Sequence, residues 1–216
     1  MRPIISIVGK SNSGKTTLLE GLIVELKQRG YEVGVIKHTG EDFELDKVGK
    51  DSWRLNQAGS SVVAVSSPHK VAVIRQVDRD LSPQELSRFI GRDYDLILTE
   101  GFKQSNATRV EVHRKEQGVE LLFPPEQLLA VVTNEPLVVD VPQFATNEIS
   151  GLADFIEKKL LAHRKGDDVE LYISENFVPL NLFVKDLLVR TLVAMVSSLK
   201  GVNRVKSLYI SLRKKT

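Results

Sequence analysis

The stretch that decides the fold is an apolar run followed by a loop of small residues: Ile4-Ile5-Ser6-Ile7-Val8, then Gly9-Lys10-Ser11-Asn12-Ser13-Gly14-Lys15-Thr16. The apolar run is too short for a helix, and its β-branched residues are typical of a buried strand. The loop matches the Walker A pattern G-x-x-x-x-G-K-S/T at every fixed position. This stretch therefore predicts a strand that ends in a phosphate-binding loop.

A helix and a second strand are predicted directly after the loop. Apolar residues recur at helical spacing from Leu18 to Leu26, and Gly30 is placed to end the helix. Val33–Ile36 is the next short apolar run. A strand–helix–strand unit of this kind is right-handed, and its two strands are parallel.

The rest of the first 165 residues alternates between strand and helix patterns. Further strands are predicted at 62–65, 71–74, 96–99, 110–113, 120–123, 129–132 and 138–139. Helices are predicted at 51–58, at 83–90 with Ser82 as N-cap, and at 148–163. Val110–Phe123 is interpreted as a hairpin that turns at Gln117-Gly118. The pattern predicts an α/β domain of the P-loop NTPase type, a mostly parallel sheet with helices on both faces.

A small β-α-β appendage is predicted at the C-terminus, so that the domains are 1–165 and 166–216. The polar run Arg164–Asp168 is interpreted as a linker. Val169–Ile173 and Leu208–Leu212 alternate like strands, and Asn181 is placed to cap an apolar helix that Gly201 ends. Because so few elements bury little surface, we expect the appendage to pack on the first domain or on a second copy, as in a homodimer.

The composition indicates a globular protein. Of the 216 residues, 42% are hydrophobic and 27% are charged. No apolar run is long enough for a bilayer and no export signal is evident, so we expect a cytoplasmic protein without a membrane partner. The absence of cysteine excludes disulfides, thiolate catalysis and Cys-ligated metals. From Leu187 onward the chain has seven basic and no acidic residues, but Tyr209 is its one aromatic residue and it carries no nucleic-acid motif, so we expect no nucleic-acid partner.

The predicted phosphate loop assigns a role to each residue type. Glycines let the backbone curl so that successive N–H groups point at phosphate oxygens, and the following helix adds the positive end of its dipole. Lys15 would reach the β- and γ-phosphates, the Thr16 hydroxyl would ligate Mg²⁺, and Thr17 would contact the α-phosphate. The alternative is a plain Gly/Ser turn. The predicted binding residues here are Gly9, Lys10, Ser11, Asn12, Ser13, Gly14, Lys15, Thr16 and Thr17.

Glu100 is the predicted acidic partner of the loop. It follows the apolar run Leu96-Ile97-Leu98, and Gly101 would allow a tight exit from that strand. Its carboxylate could hold the metal through water or polarise a nucleophile, which makes Lys15 and Glu100 the candidate catalytic residues. The alternative is a solvated carboxylate at the end of a strand.

Several segments together resemble the family of molybdopterin-guanine dinucleotide biosynthesis protein B (MobB). They are the loop itself, Val35-Ile36-Lys37-His38, the run from Phe43 to Arg54, Ala58-Gly59, and Leu96 to Lys103 with its Glu100-Gly101-Phe102-Lys103 exit. The resemblance covers about residues 1–165. It implies a GTP-binding adapter that assists the enzyme joining a guanine nucleotide to molybdenum cofactor. It also implies GTP and Mg²⁺ as ligands, a dimeric fold, and a partner that is the molybdenum cofactor guanylyltransferase or another cofactor-handling enzyme.

Charged residues in the Phe43–Arg54 run extend the predicted site. Asp46 is a candidate second Mg²⁺ contact, and Lys50 and Arg54 are placed to meet the nucleotide or a phosphorylated pterin. Lys37 ends a strand at the sheet edge where ligands of open α/β folds bind. The alternative is a salt-bridged surface helix. Thr39-Gly40-Glu41 stands where family members often carry histidines, which counts against a transition-metal site at His38.

The residues that would recognise the base and the reaction that the site would catalyse each have two interpretations. Asn134 follows a late strand and matches the first residue of the guanine-binding pattern N-K-x-D, or else it is a turn residue before Pro136. Lys10 either reaches across to a partner's nucleotide or is a solvated loop lysine. From the residues alone, GTP and ATP are equally compatible with the loop. The protein is expected to hydrolyse GTP slowly at most, in a reaction that depends on Mg²⁺. The alternative is a small-molecule kinase whose acceptor is bound by Lys37, Lys50 and Arg54.

Overall fold

The computed structural model describes residues 2–40, 43, 47–91, 94–118, 120–161, 169, 171–173, 176–202, 205, 208 and 210. The chain divides into two compact units, residues 2–157 and residues 158–216. The predicted domain boundary at residue 165 stays a prediction, and the predicted linker Arg164–Asp168 lies outside the described residues. Over these ranges no helix is long and apolar enough to cross a bilayer.

The first unit is built on a six-stranded sheet in which every neighbouring pair is parallel. The strands of this unit are β1 Ile4–Gly9, β2 Val33–Lys37, β3 Val62–Ser67, β4 Lys70–Arg75, β5 Leu96–Glu100, β6 Thr108–His113, β7 Leu128–Thr133 and β8 Gln143–Ala145. The order of the six strands in the sheet is β2-β5-β1-β6-β7-β8. The predicted mostly parallel α/β sheet is confirmed.

Burial explains why β1 lies near the centre of the sheet. All six of its residues are buried, as are the first four of β5, because both faces of these strands are covered. The two polar side chains among them satisfy each other: Ser6 Oγ and Thr99 Oγ1 are hydrogen-bonded at 2.8 Å. A buried central strand therefore places the Gly9–Thr16 loop at the carboxyl edge of the sheet.

The described residues of the first unit include the α-helices α1 Lys15–Gln28, α2 Asp51–Gln57, α3 Pro83–Phe89 and α4 Ile149–Ile156, the last followed by a π-helical turn at Glu157–Leu161. Helical structure thus follows the prediction at 148–163 from Ile149 to Leu161, with a π-helical last turn, and His163 lies outside the described residues. Ser82 caps α3 through a capping box with Glu85, as predicted. Arg29, at the end of α1, donates hydrogen bonds to Asp154 and Glu157 and joins α1 to α4.

The predicted hairpin over Val110–Phe123 is wrong. β6 instead pairs in parallel with β1 and β7, and residues 120–123 form no strand. The buried Glu111 carboxylate accepts hydrogen bonds from the backbone N–H groups of Leu122 at 2.7 Å and Phe123 at 3.2 Å. Residues 122–123 are thus bound to β6 through the Glu111 side chain and not through backbone strand pairing, because β6 already has a paired strand on each side.

The strand predicted at Val138–Val139 is also wrong. The last strand of the sheet is β8, where Gln143 and Phe144 pair with Val131 and Val132. Val138 is fully exposed, whereas Val139 packs against a small apolar cluster under the β7–β8 connection. Of these two adjacent valines, Val139 therefore contributes a packing contact, and neither forms a strand.

β3 and β4 form a separate antiparallel ribbon outside the main sheet. Both strands were predicted at 62–65 and 71–74, and each is slightly longer in the structure. Large apolar side chains along the ribbon are exposed by about half or more: Val62, Val65, Val71 and Val73.

The C-terminal unit contains the antiparallel pair β9 Leu171–Ile173 and β10 Asn176–Val178, followed by helix α5 Leu182–Ser197. Asn181 Oδ1 accepts the Val184 N–H at 2.9 Å, which confirms the predicted cap. β10 was not predicted, and the predicted strand at 208–212 lies mostly outside the described residues. Several large apolar side chains of α5 are exposed: Leu182, Phe183, Leu187 and Met195.

Candidate functional site

The loop between β1 and α1 has the backbone form of an anion-binding nest. Asn12 and Gly14 both have positive φ, at 60° and 94°, and α1 starts at Lys15. At Gly9, φ is 153° and an added Cβ would lie 2.5 Å from Val112 O. The turn is therefore closed against β6 and has no space for a side chain at its first residue.

The loop borders an open cavity of about 520 Å³. Ser13 Oγ is buried and has no hydrogen-bond partner within the described part of the chain. Ser13 is not part of the cavity lining, and its Oγ would lie 2.7 Å from a Cβ added at Gly9. The cavity is lined by Ser11, Asn12, Gly14, Lys15, Thr16, Thr17 and Glu100.

Lys15 is held back onto its own loop. Its Nζ donates to Lys10 O at 2.8 Å. Burial lowers the pKa of Lys15 from its ordinary value, and Lys103 and Lys37 lower it further, whereas Glu100 opposes the change. Lys15 and Glu100 therefore line the cavity with opposite charges, and Lys37 and Lys103 lie close enough to act on Lys15.

Thr16 and Glu100 meet at the mouth of the loop. Thr16 Oγ1 lies 3.3 and 3.2 Å from the two carboxylate oxygens of Glu100, and Lys37 Nζ lies 3.7 Å from Glu100. Among the described residues no group of three or more His, Asp or Glu side chains is placed to hold a metal. A hydroxyl and one carboxylate fit Mg²⁺, which is usually held by one or two protein oxygens, water and substrate phosphates.

The other charged residues predicted for the site lie apart from the cavity lining. Lys50 precedes α2 and is exposed, and Arg54 pairs with Asp51 at 3.8 Å with both side chains largely exposed. Asp46 lies outside the described residues. His38 makes a hydrogen bond to Asp80 at 2.9 Å, and its ring lies 4.6 Å from that of Phe102. Both contacts are with other side chains of the fold.

Asn134 and Lys10 both contact a short turn that follows β6. Asn134 Oδ1 accepts the Lys115 N–H at 3.1 Å, and its Nδ2 lies 3.1 Å from both carboxylate oxygens of Glu116. Lys10 Nζ donates to Gln117 O at 2.5 Å, within the same chain. Their contacts with a nucleotide stay predictions.

Two residues of that turn were missed by the sequence analysis. Arg114 Nε donates to Ser13 O at 3.0 Å, and Gln117 Nε2 donates to Ser11 O at 2.6 Å. A sequence signal existed, since Arg114 directly follows a strand that ends at the same sheet edge as β1. The mistaken hairpin placed this segment at a distant turn.

A family model for molybdopterin guanine dinucleotide synthesis protein B matches residues 4–134, which include β1, the loop, Glu100 and Asn134. The chain belongs to the MobB family. A MobB-family relative from Haemophilus influenzae, a molybdopterin-guanine dinucleotide biosynthesis adapter protein, is 43% identical; the alignment covers 73% of this chain and 89% of the relative. A relative of the same description from Escherichia coli is 38% identical over 72% of this chain and 92% of its own length.

The fold agrees with that of solved MobB proteins. A crystal structure of molybdopterin-guanine biosynthesis protein B is 36% identical, has a TM-score of 0.56, and covers 73% of this chain and 98% of its own. A Methanocaldococcus jannaschii relative, 25% identical, aligns over 97% of both chains. This alignment therefore extends into the C-terminal residues, which the alignments covering 72–73% of the chain cannot include in full.

Proposed function

We propose that this MobB-family chain is an adapter in molybdopterin-guanine dinucleotide synthesis that binds Mg·GTP at the Gly9–Thr17 loop. The observation that carries the proposal is the meeting of Thr16 and Glu100 beside the two positive-φ residues of the loop. Homology to adapter proteins of that pathway supplies the biological context. The adapter would present the nucleotide, or a pterin dinucleotide, to a cofactor-handling enzyme such as the molybdenum cofactor guanylyltransferase.

The chemistry proposed for the site is phosphate binding with slow hydrolysis. The loop amides and Lys15 bind the phosphates, Thr16 and Glu100 hold Mg²⁺, and Asp46 is a second metal contact. Mg²⁺ neutralises charge on the phosphate oxygens. Lys15 and Glu100 are the charged side chains that line the cavity over the described ranges, so hydrolysis is proposed to be slow without a partner's contribution.

Residues beyond the cavity lining are proposed to act on the rest of the ligand. Asn134 is proposed to contact the base, and Lys10 to contact the nucleotide after leaving Gln117 O. Lys37, Lys50 and Arg54 are proposed to bind an outer phosphate or a phosphorylated pterin. The protein is proposed to act in the cytoplasm as a homodimer that covers the apolar side chains of α5.

A nucleotide panel tests the proposed function. Thermal unfolding is measured with GTP, GDP and ATP, each with Mg²⁺ or with a chelator, on wild type, Lys15→Ala and the surface control Lys27→Ala. We expect Mg·GTP to raise the melting temperature of wild type and Lys27→Ala and to leave Lys15→Ala unchanged. Stabilisation by ATP alone supports the kinase instead. No stabilisation by any nucleotide contradicts the proposal.

Light scattering tests the proposed dimer. Phe183→Glu places a charge among the exposed apolar residues of α5, where Phe183 is 76% exposed. We expect wild type to be dimeric and the variant monomeric, with Thr191→Glu on the same helix as a control for added charge. A monomeric wild type at all concentrations contradicts the dimer.

A further inference from the structure

The turn that follows β6 contacts the phosphate loop from outside the cavity. The Arg114–Gly118 turn is defined here as these five residues, whose middle forms a 3-10 helix at Lys115–Gln117. Arg114 and Gln117 are half-buried, and each donates a side-chain hydrogen bond to a loop carbonyl, Ser13 O and Ser11 O respectively. Neither side chain belongs to the cavity lining.

Peptide geometry gives these two contacts a consequence. In a planar trans peptide the C=O and the following N–H point in opposite directions. Holding Ser13 O toward Arg114 therefore directs the Gly14 N–H away from the turn, and holding Ser11 O toward Gln117 does the same for the Asn12 N–H. Asn12 and Gly14 are the loop residues with positive φ that line the cavity.

The turn is itself anchored at two other places. Lys10 Nζ donates to Gln117 O, and the Lys115 N–H donates to Asn134 Oδ1 at the end of β7. The Arg114 guanidinium also covers Gly14, since an added Cβ there would lie 3.1 Å from an Nη atom. The turn thus connects the end of β7 with alternate peptides of the phosphate loop.

We propose that the Arg114–Gly118 turn is the positioning element of the phosphate loop. Arg114 sets the Gly14 amide and Gln117 sets the Asn12 amide in the direction in which they donate to phosphate oxygens. Arg114 acts through Ser13 and not by touching the ligand, so it is a positioning residue. That these amides donate to phosphate oxygens rests on the proposed nucleotide function. That the turn orients them concerns this chain alone.

The binding test compares Arg114→Met, Arg114→Lys and Lys115→Met. Lys115→Met removes one positive charge from the same turn, and the Lys115 side chain is 73% exposed and pairs with Glu135. We expect Arg114→Met to weaken GTP and GDP binding by the same factor, about 10-fold or more, and Lys115→Met to change neither by more than about twofold. Arg114→Lys should restore part of the loss, because Nζ can donate once to Ser13 O.

The outcomes separate positioning from other roles. A much larger loss for GTP than for GDP assigns Arg114 to the γ-phosphate and overturns the proposal. Equal losses in Arg114→Met and Lys115→Met show a general charge effect and also overturn it. If Arg114→Met does not fold, Gln117→Leu removes the Ser11 contact alone and gives the same comparison.

An NMR measurement without ligand tests the loop directly. We expect the Asn12 and Gly14 amide resonances and the backbone coupling that reports the positive φ of Asn12 to change in Arg114→Met and to stay unchanged in Lys115→Met. Unchanged resonances in both variants overturn the proposal. Should wild type bind no nucleotide, the proposed function fails while this measurement still decides whether the turn positions the loop.

Discussion

Thr16 Oγ1 donates to the Glu100 carboxylate at 3.2 Å and so joins the first turn of α1 to the end of β5. Both residues lie on the cavity, and both offer oxygen ligands of the kind that Mg²⁺ prefers. We therefore expect Thr16→Val, which keeps the side-chain shape, to weaken GTP binding in Mg²⁺ by about 10-fold. Titration calorimetry with and without a chelator checks it, because GTP affinity in chelator should be the same in wild type and variant. An equal loss in both conditions would place Thr16 on phosphate and not on the metal.

Gly9→Ala is expected to destabilise the fold and not only the site. The new Cβ would lie 2.5 Å from Val112 O and 2.7 Å from Ser13 Oγ, at a backbone φ of 153°. We expect the free energy of unfolding to fall by about 3 kcal/mol or more, as measured in urea. Gly40→Ala is the control, since nothing lies within 4 Å of its added Cβ and no unusual φ is required there. A loss below about 1 kcal/mol would show that β6 can move aside.

Arg29→Met is expected to weaken the packing of α1 on α4. The Arg29 side chain is 19% exposed, and its guanidinium donates to Glu25 at 2.7 Å, to Asp154 and to the Ser150 carbonyl. Its removal takes the charged donor away from the partly buried Glu25 carboxylate and the Ser150 carbonyl, so we expect a loss of about 2 kcal/mol in urea unfolding. Lys27→Met is the control, because its ion pair with Glu32 is exposed and should contribute less than about 0.5 kcal/mol. Equal losses would refute a special role for Arg29.

The stability contributed by the same network should depend on pH in the acid range. Hydrogen bonds from Tyr31 and Arg29 lower the pKa of Glu157 from its ordinary value of 4.5. A carboxyl with a depressed folded-state pKa stabilises the fold fully above 4.5, and this contribution is lost as the pH falls through the lowered value. In Arg29→Met the loss of stability on the acid side should be shallower than in wild type; an unchanged slope would contradict the assignment.

Nucleotide binding should depend on pH through Lys15. Burial lowers its pKa from 10.5 in the ligand-free protein, and a bound phosphate raises it again, so binding takes up a proton at pH values between the lowered and the raised pKa. GTP affinity should therefore fall as the pH rises through the lowered value. Calorimetry in buffers of different ionisation enthalpy measures the proton uptake. Lys15→Arg is the control, because arginine stays charged throughout and should remove this part of the pH dependence.

Local patterns predicted the parts of the site that are local in sequence. β1, the loop and α1 follow one another, and the run Leu96-Ile97-Leu98 has the apolar character of a strand buried on both faces, so Glu100 was placed at the correct edge. These features depend on residues within a few positions of one another.

The errors arose where long-range pairing decides the structure. Gln117-Gly118 has the composition of a hairpin turn, but β6 pairs with β1 and β7, whose residues lie far away in the sequence. The contacts of Arg114 with Ser13 depend on this pairing and could not be found from a turn pattern. β8 is three residues long, and its place is set by its ladder with β7 and not by its own propensity.

The position of β1 between β5 and β6 has a consequence for hydrogen exchange. Its amides are bonded on both sides within a sheet covered on both faces, so they should exchange with solvent only when the whole first unit opens. The ribbon β3–β4, which pairs only with itself within the described residues, should exchange much earlier. The start of the Gly9–Thr16 loop would then be among the last parts of the first unit to unfold, long after the ribbon has opened.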